Sequence, residues 1–453
     1  MIKLKDFPRI MICAPGSGSG KTLITCALLR ILDRQGLNPA SFKCGPDYID
    51  PMFHRNVLGI PSRNLDLFLM GSMGMKEALC RGAEGRDFGV MEGVMGFFDG
   101  QKPDSFEGSS YDVCASTGTP AVLVVNCKGM SLSVVPLIKG FADYDRDGAI
   151  QGVILNNVSP MIAASLREKI EEETKLPVIG WLPKMPEISL ESRHLGLVIP
   201  EEIPELCDMI DKVADRLQEH LDLDKLLEIA NSAKQIMLLK DFDIPKEDKK
   251  PHGTYRIGIA RDEAFCFYYE DNLDMLKLMG AELVPFSPIH DKKLPEVTHL
   301  IIGGGYPELH AKALSENRSM REDILRAAKA GMPILAECGG FLYLQEKLSD
   351  PDGNTYDMAG ALPGQSHMTD RLSHFGYVTM TGAKDGFYLG EDQEIKGHEF
   401  HYYDTTDNGE ECLLTKPSGK SWRGYRSENK VFAGFAHLYY PSCPEFIKRF
   451  LNA

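Results

Sequence analysis

Pro8-Arg9-Ile10-Met11-Ile12-Cys13-Ala14-Pro15-Gly16-Ser17-Gly18-Ser19-Gly20-Lys21-Thr22 reads as a short buried strand, a glycine-rich turn and the start of a helix. The helix runs on to Gln35, because Ile24, Ala27, Leu28 and Ile31 follow the i, i+3, i+4, i+7 spacing of one apolar face. Strand, glycine turn, Gly-Lys-Thr and helix, in that order, is the layout of a phosphate-binding loop. Glycines let backbone N–H groups turn around phosphate oxygens, and the helix N-terminus adds partial positive charge. Gly18, Ser19 and Gly20 would form the cradle, Lys21 would reach the β- and γ-phosphates, and Thr22 would offer its hydroxyl to Mg²⁺. The strict pattern wants glycine where Pro15 stands, and Gly16 comes one residue late, so the loop is a variant. The competing reading is a glycine-rich turn that only caps a helix.

Working outward, Phe88 to Met91, Ala121 to Val125, Val153 to Leu155 and Val178 to Leu182 are further buried-strand candidates, with helical stretches such as Ala163 to Lys175 between them. That alternation implies a parallel sheet covered on both faces. Residues 203–235 read as amphipathic helix, and the charged, Pro/Gly-bounded stretch 241–254 as a linker. A second β-α series opens at Tyr255-Arg256-Ile257-Gly258-Ile259-Ala260. It continues with a helix near 270–279, a strand near 298–302, a helix near 318–330 and a strand over 333–337. The tail adds β-like runs, among them Phe375 to Met380 and Val431 to Ala436. The expected fold is α/β in two domains, 1–240 and 255–453, each a mainly parallel sheet flanked by helices.

Composition narrows the function classes. The 453 residues carry 50 Lys+Arg against 65 Asp+Glu, a net charge of −15, which argues against nonspecific nucleic-acid binding. No apolar run approaches the roughly 20 residues that span a bilayer, and the first residues lack a leader pattern, so no membrane association is expected. Eleven scattered cysteines with no CxxC pair fit reduced thiols in a cytoplasm.

Three further stretches carry chemistry. Phe88-Gly89-Val90-Met91-Glu92 is a buried strand ending in an acid, which makes Glu92 a candidate for Mg²⁺ or its water network. Lys43-Cys44-Gly45-Pro46-Asp47-Tyr48-Ile49-Asp50-Pro51 follows a second strand and belongs on the same carboxyl edge. There Asp47 would hold Mg²⁺, and Lys43 and Tyr48 would meet an anionic substrate. A plain turn with solvated charges is the alternative. In the second half, Ile334-Leu335-Ala336-Glu337-Cys338-Gly339-Gly340 has the form of a nucleophile elbow: strand, thiol, two glycines, helix. A helix N-terminus there would lower the thiol pKa. His437, after the apolar run Val431 to Ala436, suits the base, and N–H groups of Gly303-Gly304-Gly305 suit an oxyanion hole. A buried structural cysteine with a core histidine is the plainer alternative. His398-Glu399-Phe400-His401 lacks the helical metal spacing, and strand alternation splits its two histidines between faces.

Taken together and in this order, these motifs resemble the cobyrinic acid a,c-diamide synthase family over nearly the whole chain. The residues that carry the likeness are Ser17 to Thr22, Lys43 to Pro51, Glu92-Gly93-Val94-Met95-Gly96 with Asp99-Gly100, Gly303-Gly304-Gly305-Tyr306-Pro307-Glu308, Ala336 to Gly340, His398 to His401, and His437. The resemblance implies a dethiobiotin-synthetase-like P-loop half and a class I glutamine amidotransferase half. It implies that Cys338 and His437 release ammonia from glutamine, with Gly304 and Gly305 at the substrate. ATP and Mg²⁺ would activate the a and c acetate carboxylates of cobyrinic acid as acyl phosphates. Adenine contact is expected from Asn156 or Asn157, and a homodimer is the expected assembly. Most class I glutaminases carry an acid two residues after the histidine; here that position is Tyr439, which fits the cobalamin-type branch and leaves the orienting partner of His437 open. Close rivals within the superfamily are the enzymes acting on nickel-sirohydrochlorin or hydrogenobyrinic acid. A switch ATPase without glutaminase is the rival from another class.

Overall fold

Every residue of the strand Arg9–Cys13 is buried, and on either side it meets another buried parallel strand. In the computed structural model this strand is the middle of a seven-stranded sheet. The order is Ser62–Leu65, Pro39–Cys44, Phe88–Glu92, Arg9–Cys13, Ala121–Asn126, Ile150–Asn156, Val178–Leu182. All six pairings are parallel. The structure describes residues 2–4, 7–186, 188, 192–193, 196–197, 206–238, 250–251, 253–382 and 386–453.

The two faces of this sheet carry separate apolar cores. One gathers Met11, Phe42, Met91, Leu123 and Val153; the other gathers Ile10, Ile12, Val90, Val122 and Ile154, as alternation along a strand requires. The helix Lys21–Arg34 covers the second face with Ile24, Leu28 and Ile31, none of which has measurable exposure. Burial of each such side chain contributes about 1.5–3 kcal/mol, and Leu28→Ala would cost about 2–5 kcal/mol once the cavity is included. Arg9, itself buried, binds the edge of this unit together. Its guanidinium donates to Thr119 Oγ1 at 2.9 Å and to the carbonyls of Phe7, Thr117 and Lys234 at 3.0, 2.7 and 2.6 Å.

The stretch expected as one amphipathic helix is two, Leu206–Gln218 and Leu223–Asn231. The break has a physical cause: the Asp222 carboxylate accepts the Lys225 N–H at 3.0 Å and caps a new helix. Chain contacts divide the protein into two units, 1–242 and 243–453. Most of the expected linker 241–254 lies outside the described residues.

The second unit contains the expected parallel sheet. Its order is Ala281–Phe286, Tyr255–Ala260, His299–Ile302, Ile334–Glu337, Val431–Gly434, closed by the antiparallel strand Arg426–Glu428. It also contains a second, mostly antiparallel seven-stranded sheet, which sequence reading registered only as β-like runs. The long strands Gln365–Thr381 and Glu394–Thr405 pair at its centre, and the short strand His437–Tyr439 lies beside Glu394–Thr405. The run Val431 to Ala436, expected as one strand, ends at Gly434; the chain then leaves the first sheet and enters the second at His437.

Candidate functional site

Each unit brings a separate set of expected residues together. In the first, the turn after Arg9–Cys13 uses Gly18 and Gly20 at φ 75° and 93°, a region open to glycine at little cost. A Cβ on Gly20 would collide with Asn156 Nδ2, so this position needs glycine twice over. Asn156, a candidate for the adenine, holds the loop: its Nδ2 donates to Ser19 O at 2.9 Å, and Asn157 Nδ2 donates to Asn126 Oδ1 at 3.1 Å. Ser19 Oγ donates to Gly16 O at 2.9 Å. Lys21 Nζ folds back to donate to Gly16 O at 3.2 Å and Met95 O at 2.6 Å, which presents its charge at the mouth of the loop. Burial and neighbouring Lys43 hold Lys21 below the usual lysine pKa.

Parallel register sets Lys43 directly beside Glu92. Lys43 Nζ lies 2.5 Å from Asp50, 2.9 Å from Glu92 Oε1 and 3.9 Å from Asp47. Lys43 was expected to face an anionic substrate; it is instead buried, with its charge already matched by carboxylates, because the register turns it into the strand-end cluster. Its neighbours Asp50 and Glu92 hold the ammonium well above the ordinary lysine value despite burial. Glu92 Oε1 also accepts the Thr22 hydroxyl at 2.6 Å, while Glu92 Oε2 has no hydrogen-bond partner in a fully buried position. Burial and Asp50 push Glu92 up to about 8 and Asp47 up to about 7, whereas Lys43 holds Asp50 below the usual range. Asp47 Oδ1 accepts the Ile49 N–H at 2.8 Å, and half-buried Tyr48 stands at the start of the helix Ile49–Asn56.

The cluster therefore holds two cations, Lys21 and Lys43, against three carboxylates, Asp47, Asp50 and Glu92. The Asp47 carboxyl, the orphaned Glu92 Oε2 and the adjoining Thr22 hydroxyl fit a divalent cation bound together with phosphate oxygens. Among the described residues no trio of His, Cys, Asp or Glu is arranged to hold a metal by itself. Sequence reading passed over two members of this site. Asp50 was quoted within its motif but given no role. Buried His54 lies 3.7 Å from Glu92 Oε2 and accepts from or donates to Ser41 Oγ at 2.7 Å. The i, i+4 spacing of Asp50 and His54 on one helix face was the available signal.

In the second unit the strand Ile334–Glu337 ends in Cys338 at φ 48°, ψ −107°, a strained setting for a non-glycine residue that costs about 1–3 kcal/mol. Cys338 N donates to Gly434 O at 2.8 Å, which ties the elbow to the neighbouring strand. The two glycines after it are required by close approach: a Cβ on Gly340 would strike Ile302 O, and one on Gly339 would press on Pro307 and Gly305 N. The glycine triplet thus packs against the elbow, and a Cβ on Gly304 would collide with the His437 ring. Cys338, His437, Gly304 and Gly305 are brought together as expected.

Two details depart from expectation. The Gly303 N–H donates to Tyr268 Oη at 2.9 Å, leaving Gly304 and Gly305 as the triplet's candidates for an oxyanion hole. The Cys338 thiol is not acidified by its helix. Burial, then the nearby carboxyls of Glu308, Glu399 and Glu337, push it well above the ordinary thiol value, and a six-residue helix does not offset them. A thiol held in its neutral form would need a base before it could act as a nucleophile. Burial holds His437 down at about 3, which favours the neutral imidazole. Along Glu394–Thr405, Glu399 and His401 face inward while His398 and Phe400 alternate with them, as strand geometry demands.

Comparison with known proteins agrees with both halves. Residues 10–198 match the CobQ/CobB/MinD/ParA nucleotide binding domain, and residues 256–443 match the CobB/CobQ-like glutamine amidotransferase domain. The cobyrinate a,c-diamide synthase of Listeria innocua is 40% identical, covering 98% of this chain and 99% of its own length. The proteins of that name from Clostridium acetobutylicum and Priestia megaterium are 41% and 36% identical, each over 98% of this chain and over 99% and 96% of their own. Among the described residues no helix is long and apolar enough to cross a membrane. With a nucleotide-binding unit followed by a thiol amidotransferase unit, and relatives aligned from end to end, the chain belongs to the cobyrinate a,c-diamide synthase family.

Proposed function

We propose that this chain uses ATP and glutamine to amidate the a and c acetate carboxylates of cobyrinic acid through acyl phosphates. The observation that carries the reading is the pairing, on one chain, of a P-loop site with an orphaned buried carboxylate and a strained cysteine elbow with a neutral histidine. The names of the end-to-end relatives support a corrinoid substrate.

In the second unit, Cys338 Sγ attacks the side-chain amide carbon of glutamine as its proton passes to His437. The Gly304 and Gly305 N–H groups face the developing oxyanion. The C–N bond breaks, the nitrogen leaves as ammonia with the proton returned by His437, and water then releases glutamate from the thioester. In the first unit, a substrate carboxylate oxygen attacks the γ-phosphorus of ATP and ADP leaves. Ammonia then attacks the acyl carbon and inorganic phosphate departs. Lys21 stabilises charge on the transferred phosphoryl group, and Tyr48 with Asp47 stands at the substrate side of the loop. Mg²⁺ would be held by Thr22 and Glu92, with Asp47 nearby, and would supply electrostatic stabilisation of the phosphates.

The test is mass spectrometry of products from the full chain with ATP, Mg²⁺ and glutamine, offered cobyrinic acid and nickel-sirohydrochlorin in parallel. A doubly amidated corrinoid formed faster than the nickel product is expected. Preferential amidation of nickel-sirohydrochlorin would reassign the substrate. ATP hydrolysis with no amidation of either would leave the switch-ATPase reading in its place.

A further inference from the structure

Where most class I glutaminases carry an acid two residues after the histidine, this chain has Tyr439, whose hydroxyl meets Asp271 Oδ2 at 3.1 Å. The strand His437–Tyr439 is itself firmly placed. Asn272 Nδ2 donates to Leu438 O at 2.8 Å, and Tyr440 N donates to Asn272 Oδ1 at 2.8 Å. On the side of the ring facing the elbow strand stands Glu337, the residue immediately before the nucleophile. Its Oε2 lies 4.0 Å from His437 Nδ1, and both side chains are nearly fully buried. Glu337 Oε1 has no hydrogen-bond partner. The Leu438 N–H and the Tyr440 hydroxyl both interact with the Glu337 carboxyl, so residues that directly follow His437 in the chain clamp it.

We infer that Glu337 is the positioning acid of this glutaminase, accepting the Nδ1–H of His437 and thereby presenting a bare Nε2 to the Cys338 thiol. This rests on the amidotransferase reading above. The argument is geometric. A neutral imidazole can serve as base at Nε2 only in the tautomer that carries its proton on Nδ1, and an acceptor beside Nδ1 selects that tautomer. The other groups around the pair are poor substitutes. His398 is the cross-strand partner of His437, His401 is stacked on Phe435, and Glu399 lies 3.6 Å from His401. Glu308 bears on the thiol. A carboxyl oxygen accepts an N–H whether the group is ionised or not, so the role does not depend on its charge in the resting site. Burial pushes Glu337 up to about 8, and its ionised form would additionally stabilise the imidazolium that forms as the thiol proton moves. The arrangement places acid and nucleophile on consecutive residues of one strand end, where an acid after the histidine would place them on different strands.

The experiment is steady-state glutaminase kinetics from pH 6 to 10 on the full chain, in wild type, Glu337→Ala, Glu337→Gln, Glu337→Asp and Asp271→Asn. Glu337→Ala is expected to lower kcat on the order of 10²-fold with KM for glutamine nearly unchanged. Glu337→Asp should recover part of the loss. Glu337→Gln, which still accepts at its amide oxygen, should keep more activity than the alanine variant while losing any rise in rate near pH 8. Nitrogen NMR of labelled histidine should show His437 protonated at Nδ1 in wild type and a mixture of tautomers in Glu337→Ala. That readout reports on the variant's site even if activity falls through misfolding, since a misfolded chain would lose the dispersed signal altogether. Unchanged kcat in Glu337→Ala, a loss confined to KM, or a larger loss in Asp271→Asn would overturn the assignment. A wild-type chain that releases no ammonia from glutamine would remove the amidotransferase reading and this assignment with it.

Discussion

The two sites solve the same problem, how to keep reactive polar groups in a dry place, in opposite ways. At the P-loop, charge is buried and matched: Lys43 contacts Asp50 and Glu92, and Glu92 contacts Thr22, all within a few residues of three adjacent parallel strand ends. At the thiol elbow, burial acts on the groups singly. Cys338 is pushed up and His437 down, which favours the neutral form of each. Under the proposed function, the first site is preorganised to stabilise the charge of a bound nucleotide's phosphates. The second is preorganised to move one proton between neutral partners. Buried ion clusters suit electrostatic stabilisation of a polyanion, and neutral buried dyads suit proton transfer coupled to attack on an uncharged amide.

That contrast can be broken or sharpened by substitution. Cys338→Ala should abolish glutamine-dependent amidation, by about 10³-fold or more, while amidation supported by ammonium salts persists. Loss of both would show that the two chemistries are not separable. Lys21→Ala should do the reverse, lowering amidation from either nitrogen source by about 10²–10³-fold and leaving ammonia release from glutamine measurable. Lys43→Met strips the cation from Asp50 and Glu92 and should destabilise the first unit by about 3–5 kcal/mol, read as a fall in its calorimetric transition. A second-unit transition that moved equally would argue against charge matching as a local device. Gly304→Ala pushes a methyl into the His437 ring and should cut kcat for glutamine hydrolysis by roughly 10–10²-fold, with ATP hydrolysis little changed.

The smallest effect is one of pH. Asp50 is held below its unfolded value, about 3.9, so the unfolded chain binds its proton more readily than the folded chain. Its stabilisation is complete above that unfolded value and is lost as pH falls through the lower folded one. Asp50→Asn should therefore lower stability at pH 7 and flatten the acid-unfolding curve below about pH 4, followed by circular dichroism. An acid limb as steep as that of wild type would show that the carboxylate is not held by Lys43 in solution.

Most of the parallel framework was legible because buried parallel strands are continuous apolar runs between helix-period segments. Val178–Leu182 and Tyr255–Ala260 are found where they were expected, and Lys21–Arg34 ends one residue early. The antiparallel sheet of the second unit was not legible. Its strands alternate apolar and polar residues weakly, and pairings such as that of His398 with His437 join distant segments. The same holds within the sites. Lys21, Thr22 and Cys338 announce themselves by glycine spacing, whereas His54 and Glu337 gain meaning only from what stands opposite them.

The sequence by itself determined the P-loop, the elbow and the alternating framework, because each is written in contiguous residues whose steric and apolar patterns are local. The tertiary structure alone decided the charge state and the partners. It turned Lys43 inward onto Glu92 and Asp50, committed the Gly303 N–H to Tyr268, kept Cys338 a thiol and set Glu337 beside His437. Burial and neighbouring charge set those properties, and both depend on which distant strands the fold brings into register.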